Sequence, residues 1–270
     1  MKIALYTRTP NPEATSFLAE KLRSRDIESV EIIGNEAKTL PEGLDALLSV
    51  GGDGTLLSSV HMLGASNIPV LGVNFGHLGF LTSASRDDVD LMVDCLKSGD
   101  YNVETRTLLR VETSETKGLL SKFVLNEVYL HRPVGSALLR VRVYVDGQYL
   151  ANYSGDGLIV ATPTGSTAYS LSGGGPILTP DSGSLVITPI GAHTLTLRPI
   201  VLSDKVSISL LPDTSCPSLT LGTDSSSCLI QGGEEVRVSR YPHSLRLIRL
   251  PGQNFFTALR HKLLWGAKLK

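Results

Sequence analysis

A single carboxylate lies within a run of glycines near the start of the sequence, in the segment Gly51-Gly52-Asp53-Gly54-Thr55. The apolar residues 46–50 before it predict a buried strand, and the apolar positions after Thr55 have the spacing of a helix that reaches Leu63. Asp53 would then stand where a strand passes into a helix, beside amide groups that can bind an anion. The alternative is an ordinary turn, since glycine and aspartate are the commonest turn residues.

A second segment, Gly155 to Ser170, begins with Asp156 and an apolar strand at 158–161 and continues into a turn of hydroxyl, proline and glycine residues. Such a turn can donate hydrogen bonds to phosphate or ribose oxygens, and Tyr169 adds an aromatic face that could cover an apolar ring. A helix N-cap with a glycine loop is the alternative, although capping needs fewer Ser, Thr and Gly residues than this segment contains.

The adjacent residues Asn126 and Glu127 come at the end of a predicted apolar strand. Their side chains could hold ribose hydroxyls or an adenine edge, because both are fixed hydrogen-bonding forks. An ordinary polar turn is the alternative. His77 and His193 stand in loop-like contexts without partner spacing, and we interpret them as structural residues rather than metal ligands.

Several classes of protein are disfavoured by the composition and by missing motifs. The sequence contains no Walker-type phosphate loop, Rossmann dinucleotide fingerprint, Gly-x-Ser-x-Gly elbow or His-Glu-x-x-His helix. Its 25 basic and 26 acidic residues are balanced, which gives neither a nucleic-acid footprint nor a polybasic membrane patch. The cysteines have no paired spacing, the first segment is strand-like rather than a signal peptide, and no apolar run approaches the ~18 residues of a membrane span. We therefore expect a cytoplasmic protein that binds neither nucleic acid nor membrane.

The apolar pattern divides the chain into two predicted domains. Residues 1–103 alternate strand and helix patterns, which predicts an α/β domain with an open, mostly parallel sheet. Residues 104–250 predict a β-rich domain of short strands, with a hairpin turn at Asp146-Gly147. Its predicted strands include 141–145, 184–187, 206–211, 236–239 and 245–250.

The last segment, 251–270, returns to a helical pattern with one apolar face. Because a lone amphipathic helix cannot bury that face by itself, we expect it to pack back on the first domain. The apolar face comprises Phe255, Phe256, Leu259 and Leu263.

The order and spacing of four segments resemble those of bacterial-type NAD kinases, over essentially the whole chain. The first segment alone is shared with phosphofructokinases and diacylglycerol kinases, whereas Asn126-Glu127 together with the last segment is specific to NAD kinases. The chain departs from the family's pattern at Asp224-Ser225-Ser226, where many relatives carry Asp-Gly-Gln, and at Ser154, where some carry arginine. The four segments are Gly51–Thr55, Gly76–Phe80, Asn126–Glu127 and Thr162–Tyr169.

The resemblance implies a reaction, the transfer of the terminal phosphate of ATP to the 2′-hydroxyl of the adenosine ribose of NAD, which gives NADP. It implies that Asp53 contacts NAD as the general base for that hydroxyl, and that Asp156 contacts NAD near the nicotinamide end. Family members are dimers or tetramers, so Thr188 and Ile190 are expected to reach a neighbouring subunit's site. The other residues expected to bind NAD are Gly54, Phe80, Asn126, Glu127, Thr164, Thr167, Ala168, Tyr169, Ser170, Leu171 and Ser172.

The implied substrates are NAD and ATP, and the implied assembly is a homodimer or homotetramer. No residue is an obvious dedicated metal ligand, so we expect a divalent cation, Mg²⁺, to arrive with the triphosphate. One alternative is a lipid or sugar kinase that shares Gly51–Thr55, which would leave Asn126-Glu127 and Thr162–Tyr169 unexplained. The other is a non-catalytic NAD-binding sensor. Asp53 argues against the sensor, because pure binding seldom needs a carboxylate that faces an anionic ligand.

Overall fold

The computed structural model describes residues 1–34, 39–77, 79–113, 123–224 and 226–267. Leu78, within the segment Gly76–Phe80, and Ser225 lie outside these ranges. Contacts divide the chain into two compact units. Unit 1 comprises Met1–Thr105 and the chain from Leu245 onward, and unit 2 comprises Arg106–Ser244. Among the described residues, no helix has both the length and the apolar character needed to cross a membrane.

The elements that precede residue 114 alternate between strands and helices. In chain order they are β1 (Lys2–Thr7), α1 (Pro12–Arg23), β2 (Glu28–Ile33), β3 (Ala46–Val50), α2 (Asp53–Leu63), β4 (Val70–Val73), β5 (Thr82–Ala84), α3 (Val89–Ser98) and β6 (Asn102–Thr113).

The elements from residue 127 onward are mostly strands. In chain order they are β7 (Glu127–His131), β8 (Leu139–Val145), β9 (Gln148–Gly155), β10 (Gly157–Ala161), a 3₁₀ helix (Gly165–Thr167), α4 (Tyr169–Ser172), β11 (Ser184–Ile190), β12 (Ile200–Ser203), β13 (Ile208–Pro212), β14 (Ser218–Gly222), β15 (Ser227–Gln231), β16 (Val236–Arg249) and α5 (Phe255–Leu263).

Unit 1 is an α/β structure built on a parallel sheet. Strands β2, β1, β3 and β4 are neighbours in that order and all run parallel. The end of β16 joins β4, also in parallel, through the pair Leu247 and Val70. Every residue of β3 and β4 is buried, as expected for parallel strands that helices cover on both faces. The predicted α/β fold with a mostly parallel sheet is confirmed.

The C-terminal helix α5 belongs to unit 1, which confirms that it packs on the first domain. The apolar face that we predicted for it is buried only in part. Leu259 is 7 % exposed, whereas Phe256 is 56 % exposed and Leu263 is 36 % exposed. The helical spacing therefore indicated the helix correctly but overestimated how much of its face is covered.

Unit 2 is β-rich, as predicted, and its strands pair antiparallel. One sheet has the order β12-β11-β10-β7-β14-β15. A second group, β16-β13-β8-β9, begins with the first residues of β16. Side chains from both groups form one apolar core. In β8 the buried Val141 and Val143 alternate with the exposed Arg140 and Arg142, which is the expected period of a half-buried strand.

Two sequence predictions need correction. Asn126 and Glu127 do not end a strand, because β7 begins at Glu127. The runs 236–239 and 245–250, predicted as separate strands, belong to one continuous strand, β16. The end of that strand lies in unit 1 because Leu247 pairs with β4 there.

Candidate active site

In unit 1, the carboxylate of Asp53 is fixed by three consecutive backbone amides. Strand β3 ends at Val50 and α2 begins at Asp53 itself, so the predicted position between strand and helix is observed. Oδ2 accepts the N–H of Phe80 at 2.8 Å, and Oδ1 accepts those of Leu81 at 3.1 Å and Thr82 at 3.3 Å. An ionised carboxylate has about four acceptor positions, so about one remains for a ligand.

Glycines surround this carboxylate for two different reasons. A Cβ atom at Gly79 would lie 1.9 Å from Oδ1 of Asp53, so only glycine lets the turn close over the carboxylate. A Cβ at Gly54 would meet no described atom within 4 Å. Glycine in a helix costs about 1 kcal/mol relative to alanine, and nothing within the described chain requires it at this exposed position. The open space at Gly54 would let a ligand approach the backbone.

Arg249, which the sequence analysis did not single out, holds the turn that contacts Asp53. Its side chain is 4 % exposed. The guanidinium donates to the carbonyl oxygen of Phe80 at 2.9 Å and to Oγ of Ser83 at 3.1 Å, and its Nε pairs with Glu104 at 3.2 Å. These three hydrogen bonds tie the buried cation to groups of the same unit, and Phe80 is positioned by both Asp53 and Arg249.

In unit 2, the carboxylate of Asp224 holds the segment that contains Asn126 and Glu127. It accepts the backbone N–H groups of Leu125 at 2.5 Å, Asn126 at 2.9 Å and Glu127 at 3.1 Å. The loop that departs from the family's Asp-Gly-Gln pattern thus supports the two predicted binding residues through its aspartate. Sequence reasoning noted this loop but did not connect it with residues almost a hundred positions away.

The turn after β10 supports the same segment from another side. The hydroxyl of Thr162 donates to the carbonyl oxygen of Leu125 at 2.5 Å, and the backbone N–H of Thr162 donates to the carbonyl oxygen of Asn126 at 2.9 Å. A Cβ atom at Gly165 would lie 2.1 Å from that same oxygen of Asn126. The close approach explains why a glycine stands inside this Thr- and Ser-rich turn, and it brings Thr162–Tyr169 beside Asn126-Glu127.

Two acceptor atoms in this segment are buried without a protein partner. They are Oδ1 of Asn126 and Oε2 of Glu127. Buried polar atoms nearly always have a hydrogen-bond partner, and each exception calls for an explanation. Burial, aided by the charge of Asp224, raises the pKa of Glu127 to about 8, and burial raises the pKa of Asp224 to about 6. A bound ligand would complete the hydrogen bonding of both buried atoms.

The remaining predicted residues in this turn differ in exposure. Thr167, Ala168, Tyr169 and Leu171 are half-buried, Ser172 is exposed, and Thr164 is buried. The ring of Tyr169 meets that of Tyr129 edge to face at 5.6 Å, which fixes its orientation.

Ser170 and Thr188 are both fully buried. Their hydroxyl oxygens lie 2.8 Å apart, in hydrogen-bond contact with each other. Their side chains therefore join α4 to β11 within one chain. Ile190, at the end of β11, is half-buried.

Asp156 has an ionic partner that the sequence analysis did not identify. Its Oδ1 accepts Nε of Arg132 at 2.7 Å, and Nη1 of Arg132 donates to the carbonyl oxygen of Ser136 at 2.6 Å. A Cβ at Gly191 would lie 2.5 Å from Oδ2 of Asp156. The carboxylate is thus held by Arg132 and closely approached by Gly191, while it stays partly exposed.

Comparison with known protein families identifies the family to which the residues around Asp53 and those around Asn126-Glu127 belong. The model of the ATP-NAD kinase N-terminal domain matches residues 8–101, and that of the ATP-NAD kinase C-terminal domain matches residues 125–250. The chain belongs to the ATP-NAD kinase family. As a member of that family it is an enzyme, a kinase, and the sequence resemblance is confirmed.

Relatives of this ATP-NAD kinase chain share much of its sequence. It is 41 % identical over 246 residues to the NAD kinase of Porphyromonas gingivalis, covering 91 % of this chain and 85 % of that protein. It is 43 % identical over 236 residues to the NAD kinase of Gemmatimonas aurantiaca, covering 86 % of this chain and 81 % of that protein.

Two solved kinases share the fold. A yeast NADH kinase in complex with NADH superposes with a TM-score of 0.87 at 24 % identity, over 100 % of this chain and 89 % of that one. An NAD kinase from Archaeoglobus fulgidus in complex with ATP gives a TM-score of 0.80 at 23 % identity, over 98 % of this chain and 99 % of that one.

Proposed function

We propose that this kinase transfers the terminal phosphate of ATP to the 2′-hydroxyl of the adenosine ribose of NAD. The observation that carries the proposal is the carboxylate of Asp53, which three backbone amides orient beside the open space at Gly54. The relatives named above are NAD kinases, and the two structures of the same fold hold NADH and ATP.

In the proposed reaction, Asp53 is the general base. The 2′-hydroxyl gives its proton to the free acceptor position of the carboxylate, and the hydroxyl oxygen forms a bond to the γ-phosphorus. The bond between that phosphorus and the β,γ-bridging oxygen breaks, and the electron pair leaves with ADP. Phosphoryl transfer depends mainly on positioning and on neutralised charge. The three amide contacts supply the positioning of Asp53.

Residues of unit 2 are proposed to hold NAD. The buried, unpartnered oxygens of Asn126 and Glu127 would accept or share hydrogen bonds with the hydroxyl groups or ring nitrogens of the dinucleotide. The partly exposed face of Tyr169 would cover an apolar ring, and Asp156 would contact the nicotinamide end. The segment with Thr188 and Ile190 is proposed to reach a neighbouring subunit's site in a homodimer or homotetramer, with Ile190 at its accessible end, because the side chain of Thr188 is fully buried against Ser170.

Divalent metal enters this proposal as part of the nucleotide substrate. Among the described residues no group of three or more His, Cys, Asp or Glu side chains could hold a metal ion. We therefore propose that Mg²⁺ arrives with the triphosphate of ATP, where it would neutralise phosphate charge. We also propose that the enzyme works in the cytoplasm, where both substrates occur.

The test is NADP formation by the wild type and by the Asp53→Asn variant. A positioned base contributes ~10²–10⁴-fold in rate, so kcat should fall by about that factor while NAD still binds. Asp146→Asn is a matched control, because Asp146 also accepts a backbone amide, from Ser207 at 2.8 Å, in a hairpin of unit 2. Near wild-type turnover by Asp53→Asn would contradict the proposed base.

Offering other acceptors tests the alternative functions. Phosphorylation of diacylglycerol, sphingosine or fructose 6-phosphate in place of NAD would indicate a lipid or sugar kinase. Tight NAD binding without NADP formation, with every phosphoryl donor tried, would indicate a sensor.

A further inference from the structure

A cavity of about 510 Å³ lies within unit 1, outside every residue assigned above to NAD. Its walls include Gly76, His77, Gly79, Thr82 and Ser85, together with residues of helix α5 and of the chain just before it. This volume lies within the range of about 300–1,000 Å³ that is typical of small-molecule sites. The family's reaction needs a second substrate, and the proposed NAD-binding residues leave this cavity unused.

The side chains that line the cavity favour an anion. Lys262, His261 and His77 face it, and none of its described lining residues is acidic. Arg249 also lines it, with part of its charge balanced by Glu104 at 3.2 Å. Lysine binds phosphate as a point charge and imidazole NH groups can donate to phosphate oxygens. The balance of charge around the cavity is therefore positive.

Amide and hydroxyl groups complete this lining. Asn254 caps α5, and its Oδ1 accepts the backbone N–H of Thr257 at 3.0 Å. Asn254, Thr257 and Gln253 all line the cavity. The first turn of a helix carries a partial positive charge, which adds to that of the side chains. These neutral donors suit the several oxygens of a chain of phosphates.

The cavity adjoins the proposed base through two shared residues. Gly79 and Thr82 line it, and both contact Asp53. The N–H of Thr82 donates to Oδ1 of Asp53 at 3.3 Å, and a Cβ at Gly79 would lie 1.9 Å from that oxygen. The turn that orients the carboxylate is thus also a wall of the cavity.

We infer that this cavity binds the polyphosphate chain of the phosphoryl donor, with Lys262 and His261 of α5 as its anion-binding residues. The inference rests on the proposed function, since it assigns the donor site of that reaction. The triphosphate of ATP and inorganic polyphosphate share the chemistry that this lining recognises. Assays with each donor in turn, both with Mg²⁺, identify which one the enzyme uses.

The test compares Lys262→Ala with Arg260→Ala. Both variants remove one cation from α5, but Arg260 does not line the cavity and contacts Thr257 at 3.4 Å. We expect Lys262→Ala to raise the KM for the donor about tenfold to hundredfold, the loss typical of one charged hydrogen-bond partner. The KM for NAD should stay unchanged. Lys262→Arg should restore most of the donor affinity, and Arg260→Ala should resemble the wild type.

A second measurement does not depend on turnover. Inorganic tripolyphosphate should bind the wild type in a calorimetric titration and should bind Lys262→Ala about tenfold or more weakly. Equal tripolyphosphate affinity in both proteins, or an equal rise in donor KM in Lys262→Ala and Arg260→Ala, would overturn the inference. A wild type that binds tripolyphosphate through Lys262 but forms no NADP would instead contradict the proposed function and leave the anion site standing.

Discussion

The buried carboxyl of Glu127 gives a prediction that needs no substrate. The side chain is 8 % exposed, and burial together with the charge of Asp224 raises its pKa from 4.5 to about 8. Each pH unit between these values corresponds to about 1.4 kcal/mol. Ionisation of Glu127 in the folded chain therefore costs about 5 kcal/mol more than in the unfolded chain. Replacement by glutamine keeps the shape and removes this cost.

The sign of the effect follows from where the proton is held. Below pH 4.5 both the folded and the unfolded chain keep the proton on Glu127, so the raised pKa costs nothing. Between pH 4.5 and about 8 the unfolded chain releases the proton while the folded chain retains it, so the free energy of unfolding falls as pH rises. Above about pH 8 the loss is complete.

Urea unfolding of the ligand-free protein at pH 6, 7 and 8 measures this loss. In that interval the wild type should lose about 2 kcal/mol relative to the Glu127→Gln variant, because the slope of about 1.4 kcal/mol per pH unit flattens as pH nears the raised pKa of Glu127. The interval lies above the raised pKa of Asp224, about 6, so that group adds little to the difference. The variant should be the more stable protein at pH 8.

A matched control is Glu20→Gln, at an exposed position of α1. Its difference from the wild type should not change with pH over this interval. If the difference between Glu127→Gln and the wild type also stays constant from pH 6 to pH 8, Glu127 keeps its charge in the folded chain. Burial would then not raise the pKa of Glu127.

Three further substitutions test the groups that position the site. Asp224→Asn removes the carboxylate that accepts three backbone N–H groups, so the KM for NAD should rise about 10- to 100-fold. An equal rise in the KM for ATP would refute a role of Asp224 that is confined to NAD binding. Gly165→Ala places a Cβ 2.1 Å from the carbonyl oxygen of Asn126, so urea unfolding should show a loss of about 1–3 kcal/mol, and unchanged stability with intact NAD binding would contradict it. Gly79→Ala places a Cβ 1.9 Å from Oδ1 of Asp53, so kcat should fall toward that of Asp53→Asn. The circular dichroism spectrum should stay unchanged. Undiminished turnover would show that the turn can shift freely.

The sequence predicted the features that depend on neighbouring residues. The position of Asp53 after β3 and at the start of α2 followed from an apolar run, a glycine turn and helical spacing. The alternation of buried and exposed residues in β8 followed from an apolar period of two. The two-residue hairpin turn after β8 followed from the pair Asp146-Gly147. Such signals lie within a dozen residues, where local propensity and burial act together.

Contacts between distant residues could not be predicted in this way. Arg249 contacts Phe80 across 169 positions, and Asp224 contacts Asn126 across 98. A buried arginine inside a strand has the same sequence signal as a solvated one, and only the fold shows which carbonyl groups it reaches. At Phe256 on α5 the sequence predicted a burial that the structure does not have. An apolar pattern indicates one face of a helix but does not indicate what covers that face.

Two aspartates, one in each unit, share one arrangement. Each carboxylate accepts three consecutive backbone amides, those of residues 80–82 at Asp53 and those of residues 125–127 at Asp224. The surroundings of the two carboxylates give them different roles. At Asp224, burial raises the pKa to about 6, and the carboxylate orients the residues that donate to it. At Asp53, the amides orient the carboxylate, and the open space at Gly54 leaves its remaining acceptor position to a substrate. Because both residues look alike in sequence, only this difference in surroundings separates the proposed base from its structural counterpart.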